Sequence, residues 1–228
     1  MPTVQHLLVR YAKRGKMRFA SHRDVARVFE RGVRRAGLPI AHSAGFTPHP
    51  KISYAGGAPT GVASEAEYLS LALTSRLEAA DVRERLNAAL PEGIDVIAVT
   101  EDAGGLPAGR LNASAWQVIL PGVSPEAAAP AVEKFLALDQ APVERLTSKG
   151  MRRMDARSAV VTVAVPESGD AGSGGAVLEM VLRHTVPSVR PDDVLTALRG
   201  ISDLAPTAPP LMTRLAQGVL GESGVVAL

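Results

Sequence analysis

Five arginines recur at Arg23, Arg27, Arg31, Arg34 and Arg35, and wound at about 100° per residue they occupy roughly 120° of one helix face. Guanidinium suits phosphate because its planar fork makes two parallel hydrogen bonds, where lysine acts as a point charge. Val25, Val28, Phe29, Val33 and Ala36 fall on the opposite arc, so the same helix also has a core side. Balancing acids are few: Glu30 lies near Arg27 and Arg34 by i±3 and i±4 spacing, and Asp24 is taken up by the helix start. The competing reading is a solvated face. Against it, like charges so arranged repel one another, and a docked polyanion relieves that cost.

The next chemistry-bearing stretch is AHSAGFTPHPKISYAGG, residues 41–57. Within it Thr47-Pro48-His49-Pro50-Lys51 is stiff, because each proline fixes its own φ and biases the preceding residue to extended geometry. Phe46, His49 and Lys51 are therefore held in set directions. Phe46 could stack on a base while Lys51 meets phosphate, as RNA-binding surfaces combine the two; the alternative is that Phe46 plugs the core.

His22, His42 and His49 cluster in this part of the chain. Their spacings match no helical ligand pair, no carboxylate falls between Glu30 and Glu65, and there are no cysteines, so no metal site is assigned. His22 or His49 is a candidate acid or base, since imidazole titrates near neutrality. No second catalytic partner is specified, and a catalytic assignment stays open.

These residues sit in an unevenly charged chain of 228 residues with formal net charge +2. Residues 1–60 hold 11 of the 25 Lys and Arg but 2 of the 23 Asp and Glu. A basic patch attracts polyanions more strongly than whole-chain charge suggests. The lack of cysteine excludes disulfides, thiolate metal sites, iron–sulfur clusters and cysteine nucleophiles. The start, MPTVQHLLVRYAKRG, is unlike a secretory signal, and no segment reaches the roughly 20 apolar residues of a membrane span. A cytoplasmic protein with no membrane partner and no cofactor is the expectation.

Val4 to Tyr11 alternates as a strand and ends in the turn-like KRGK at 13–16. Ser21 with Asp24 is a capping-box variant that opens the arginine helix, and Gly37 and Pro39 end it. KISYA and residues 66–73 read as strands, 77–90 as a helix and Ile94 to Val99 as a strand. The order β-α-β-β-α-β then recurs: Trp116 to Leu120, Pro125 to Leu138, a hairpin of Ala159 to Val165 and Ala176 to Arg183 around a flexible PESGDAGSGG, a helix at Pro191 to Leu198, and a strand near Leu211 to Leu220. That order is the split βαβ of the ferredoxin-like fold. The expected architecture is α+β with two tandem ferredoxin-like domains, 1–102 and 115–228, joined by a Gly- and Ala-rich linker at 103–114. VERLT, residues 143–147, reads as an extra strand that this fold does not need.

Several uncommon words occur in sequence: RFASHRD at 18–24, RGVRRAGLP at 31–39, SAGFTPHPKIS at 43–53 and GVASEAE at 61–67. Together they resemble the radical-SAM-linked family of bacterial proteins of unknown function, and the likeness extends more loosely to residues 151–160 and 188–198. The resemblance implies association with radical SAM proteins, to which such domains are fused or beside which they are encoded, often near ribonuclease and ribosomal-protein genes. A chain without cysteine cannot hold the cluster of radical SAM chemistry, so the implied role is accessory. The motif positions are Arg18, Ser21, His22, Asp24, Arg31, Arg34, Arg35, Ser43, Phe46, His49, Lys51, Ser53, Ser64 and Glu67, with Ser21 and Asp24 as capping residues. Gly32 departs from the family's alanine; glycine costs about 1 kcal/mol in a helix interior, and close packing is expected there.

The combined expectation is an RNA-binding accessory protein for modification or processing of transfer or ribosomal RNA, with a radical SAM partner. Arg18, Arg23, Arg27, Arg31, Arg34, Arg35 and Lys51 would meet phosphates, and Phe46 and His49 a base or ribose. The alternatives are an enzyme acting on RNA or a nucleoside through His22 or His49, and a module that binds an acidic surface of the radical SAM protein.

Overall fold

The structure is a computed structural model that describes residues 2–102, 106, 109–147, 150–166, 174–222 and 224–228. The chain divides into two units, Met1–Ala108 and Gly109–Leu228. In the first, β1 (Gln5–Lys13) leads through a 3₁₀ turn (Gly15–Phe19) to α1 (His22–Arg35), followed by β2 (Ile52–Tyr54), β3 (Ala63–Leu73), α2 (Ala79–Ala89) and β4 (Ile94–Asp102). The strands lie in the order β4-β1-β3-β2 and every pair is antiparallel. This is the ferredoxin-like arrangement, with β1 and β3 central.

Strand alternation explains why one sheet face is core. Leu7, Val9 and Tyr11 of β1 and Leu69, Leu71 and Leu73 of β3 share a side, because successive strand residues point to opposite faces. They pack against Val25, Phe29 and Val33 of α1 and Val82 and Leu86 of α2, all at most 4% exposed. The Phe29 ring meets Tyr11 edge-on at 4.7 Å between centroids, the geometry that aromatic quadrupoles favour.

The capping box at the start of α1 is complete. The Asp24 backbone N–H donates to Ser21 Oγ and the Ser21 N–H donates to Asp24 Oδ2, each at 3.2 Å. The Ser21 hydroxyl, which donates to Asp24 Oδ2 at 2.6 Å, and then the Ser21 N–H hold the Asp24 carboxyl below its ordinary value. At the other end Gly37 takes φ +62°, Gly37 N–H donates to Arg34 O at 3.2 Å and Leu38 N–H to Val33 O at 3.1 Å, a Schellman motif that also buries Leu38. A Cβ at Gly32 would stand 2.8 Å from Leu90 Cδ2, so the glycine at this position coincides with close packing against the residue that ends α2.

The second unit repeats the order with an insertion. After β5 (Ala113–Pro121) and α3 (Pro125–Leu136) come a hairpin of β6 (Pro142–Thr147) and β7 (Gly150–Asp155) and the short α4 (Ala156–Ala159). Then β8 (Val160–Ala164), β9 (Gly175–Arg183), α5 (Pro191–Ile201), β10 (Leu211–Gly221) and β11 (Gly224–Ala227) follow. The sheet order is β10-β5-β9-β8, with β11 paired to β10, again ferredoxin-like. VERLT thus pairs with GMRRM, residues 150–154, in a hairpin of its own. Of the expected linker, residues 103–105, 107 and 108 lie outside the described residues and Ala113 and Ser114 belong to β5; of the expected flexible stretch, 167–173 lie outside the described residues.

Candidate nucleic-acid interface

Burying Val25, Phe29 and Val33 turns the other arc of α1 to solvent. Arg23, Arg27, Arg31, Arg34 and Arg35 are all exposed. Among the described residues, Arg23, Arg27, Arg31 and Arg34 make no salt bridge. Arg14 shows the contrast: its guanidinium is bonded to Glu65 and Asp95, and those partners raise its pKa further. Arg23 also stands in the first turn, where a cation opposes the helix dipole. Folding alone gains nothing from that charge.

Arg35 behaves differently, since its Nη1 donates to the Ala89 carbonyl at 3.0 Å and ties α1 to the end of α2. Arg18 is half-buried, with its guanidinium 4.6 Å above the Phe19 ring, a cation–π contact. The five-arginine set therefore separates into four guanidiniums without a salt bridge among the described residues and one that is a structural tie.

The proline segment forms a loop closed at its neck. His42 bridges Pro50, Ser43 N–H donates to His49 O at 2.8 Å, and His49 N–H donates to Ser43 Oγ at 3.0 Å. Lys51 N–H to Ala41 O, Ala41 N–H to Ala72 O and Ala72 N–H to Lys51 O fasten this neck to β3. Phe46 stands at the tip with its side chain wholly exposed, at 108% of its reference area. It does not plug the core, because the hydrogen-bonded neck holds residues 44–48 off the sheet edge.

The neck divides two cavities. On the helix side, Glu30 and Arg34 of α1 line a space of about 290 Å³ with His42, Pro48 and Pro50. On the helix-free side of the sheet, His49, Lys51 and Pro50 line a second of about 380 Å³ with His6, Ser53 and Ser70. Pro50 belongs to both, so the arginine face, the loop and the second cavity adjoin. Sequence reasoning did not single out His6 or Ser70.

His22 lies elsewhere. Its ring packs edge-on against Tyr54, 5.5 Å between centroids, and its Nδ1 and Glu67 Oε2 would stand 3.3 and 3.4 Å from a Cβ at Gly57. Glu67 and Lys13 are each 3% exposed. Between them they grip the backbone of one residue: Ala58 N–H donates to Glu67 Oε2 at 3.0 Å, and Lys13 Nζ donates to Ala58 O at 3.1 Å. Buried charges demand such partners, which gives Glu67 a structural role. His22 and His49 do not share the cavity at His49, and among the described residues no three His, Asp or Glu converge.

In the second unit a polar cluster gathers around His184 and Trp116. His184 Nδ1–H donates to Leu111 O at 2.7 Å, and Nε2 lies 3.2 Å from Ser114 Oγ, which accepts Trp116 Nε1–H at 2.8 Å. Arg214 lies 5.0 Å over the Trp116 ring and donates to Gln217. Burial lowers the His184 pKa.

The profile of a family described as "Uncharacterized protein conserved in bacteria (DUF2344)" matches residues 6–191. No curated protein matches the chain. Among solved structures, the crystal structure of the first two RRM domains of yeast poly(U) binding protein (Pub1) is similar over 91% of this chain and 98% of that chain, at 12% identity and a TM-score of 0.25. The ferredoxin-like assignment rests on the strand order of each unit.

Proposed function

This chain belongs to the DUF2344 family of proteins conserved in bacteria, and within that family we propose that its N-terminal unit binds single-stranded RNA. The observation that carries this reading is the set of four exposed arginines on α1 without salt bridges among the described residues, adjoining a stiff loop with a bare aromatic ring. Unpaired guanidiniums attract a phosphate chain, and a ring held off the protein can accept an unstacked base. Tyr68, on the helix-free face of β3, is 2% exposed. The exposed aromatic rings of this unit are Phe19 and Phe46, so stacking is assigned to Phe46 at the loop tip.

Arg23, Arg27, Arg31, Arg34 and Lys51 contact phosphates, with Arg18 and Arg35 at the margins, and Phe46 and His49 meet a base or ribose. The RNA is an unpaired segment of a transfer or ribosomal RNA and the chain acts as accessory to a radical SAM enzyme; support for this part is the motif resemblance alone. Fluorescence anisotropy with a labelled uridine oligonucleotide tests the reading. Binding by the full chain that is abolished in Arg23→Gln/Arg27→Gln/Arg31→Gln/Arg34→Gln is the expected result; equal binding by that variant removes it.

A further inference from the structure

The second cavity has a polar lining of one kind. His6, Ser43, His49, Lys51, Ser53 and Ser70 supply the polar groups around about 380 Å³, Pro50, Ile52 and Ala72 complete the wall, and no carboxylate side chain is among them. Topology brings them together. His6 of β1, Ser53 of β2 and Ser70 of β3 share the helix-free face, because their neighbours Leu7, Ile52, Leu69 and Leu71 pack towards the helices, and Ser53 and Ser70 are cross-strand partners. The loop neck supplies Ser43, His49 and Lys51 from the side.

These groups are not spent on one another. Ser70 is 4% exposed, yet its hydroxyl makes no hydrogen bond among the described residues, and neither do the Ser53 hydroxyl, the His6 and His49 rings or Lys51 Nζ. Ser43 Oγ accepts from His49 N–H and keeps its own proton to give. A lining of such donors fits a ligand rich in acceptors and negative charge. Asp102 lies opposite His6 in β4 but is not part of the lining.

We infer that this cavity is a phosphomonoester pocket. A phosphomonoester offers three terminal oxygens and a charge near −1.5 to −2 at neutral pH, which matches one ammonium, two imidazoles and three hydroxyls. The ligand is either the phosphorylated end of the RNA strand bound along α1 or a free nucleotide. The first source rests on the RNA reading and the second does not.

The test compares short uridine oligonucleotides ending in a 5′ phosphate, a 3′ phosphate or hydroxyls at both ends, with uridine monophosphate and uridine as competitors, all against the full chain. One phosphorylated end is expected to bind about tenfold or more tighter than the hydroxyl strand, the gain of one charge-assisted hydrogen bond. That gain disappears in Ser70→Ala and Lys51→Ala and survives in Arg27→Gln/Arg31→Gln, whose overall affinity drops. Uridine monophosphate that binds where no oligonucleotide does upholds the pocket with a free nucleotide as its source and removes the RNA reading. Equal affinity for all three strands, together with no discrimination between uridine monophosphate and uridine, overturns the pocket; this outcome needs no variant and leaves the RNA reading standing.

Discussion

Salt is the sharpest probe of the arginine face, because its effect counts contacts. If Arg23, Arg27, Arg31, Arg34 and Lys51 each neutralise one phosphate, log K against log salt falls with a slope of about −3.5, at about −0.7 per contact on a single strand. Between about 50 and 200 mM salt the association constant then drops roughly a hundredfold. The double variant Arg27→Gln/Arg31→Gln removes two contacts, so its slope is expected near −2.1 and its loss over the same range near twentyfold. Both arginines are exposed and without salt bridges among the described residues, and glutamine has nearly the helix propensity of arginine, so the fold should keep its stability within about 0.5 kcal/mol. Anisotropy titrations at several salt concentrations, paired with thermal melts, give both numbers. A wild-type slope shallower than about −1, or a slope that the double variant leaves unchanged, refutes phosphate contact by this face.

Three further outcomes follow from individual side chains. Arg35→Gln loses the bond to the Ala89 carbonyl and is expected to cost about 0.5–1.5 kcal/mol of stability, read by denaturant unfolding, with less effect on the salt slope than Arg31→Gln. Phe46→Ala should leave stability unchanged, since the ring is wholly exposed, and weaken RNA binding by about 1–3 kcal/mol; a stability loss without a change in affinity would contradict its assigned role. His184 is held below its ordinary pKa by burial, so as pH falls the unfolded chain takes the proton first. Stability is therefore fully present above about pH 6.5 and is lost on acidification through the folded value. Melts from neutral to acidic pH should flatten in His184→Gln over that window.

The parts of the fold that could be read from sequence are those fixed by neighbours along the chain. The Ser21–Asp24 box, the two arcs of α1 and the β-α-β-β-α-β order depend on spacings of a few residues, and the strand order of both units agrees with them. The β6–β7 hairpin was harder: VERLT has some alternation, but its partner GMRRM is exposed at Gly150, Met151, Arg152 and Arg153 before buried Met154, so no apolar periodicity marks it. Phe46 was ambiguous because an aromatic in a loop, two residues ahead of Pro48, reads equally as anchor or as probe. What decides it is a bond between Ser43 and His49 across the neck.

The second cavity depends on a longer-range condition. In β1, His6 alternates with core residues and looks like any solvent-facing position, and in β3 Ser70 interrupts a run of leucines as a small filler would. Their convergence needs the register that sets His6 against Ala72 and Ser53 against Ser70, together with a loop folded back onto the same edge. A one-residue slip in β3 would turn Ser70 to the helices and Leu71 to the cavity, which would bury a hydroxyl in the leucine core and expose a leucine to the pocket. The core therefore enforces the register that assembles the donors. The leucines at 69, 71 and 73, legible in the sequence as a strand, are what hold an otherwise illegible set of hydroxyls and imidazoles in one place.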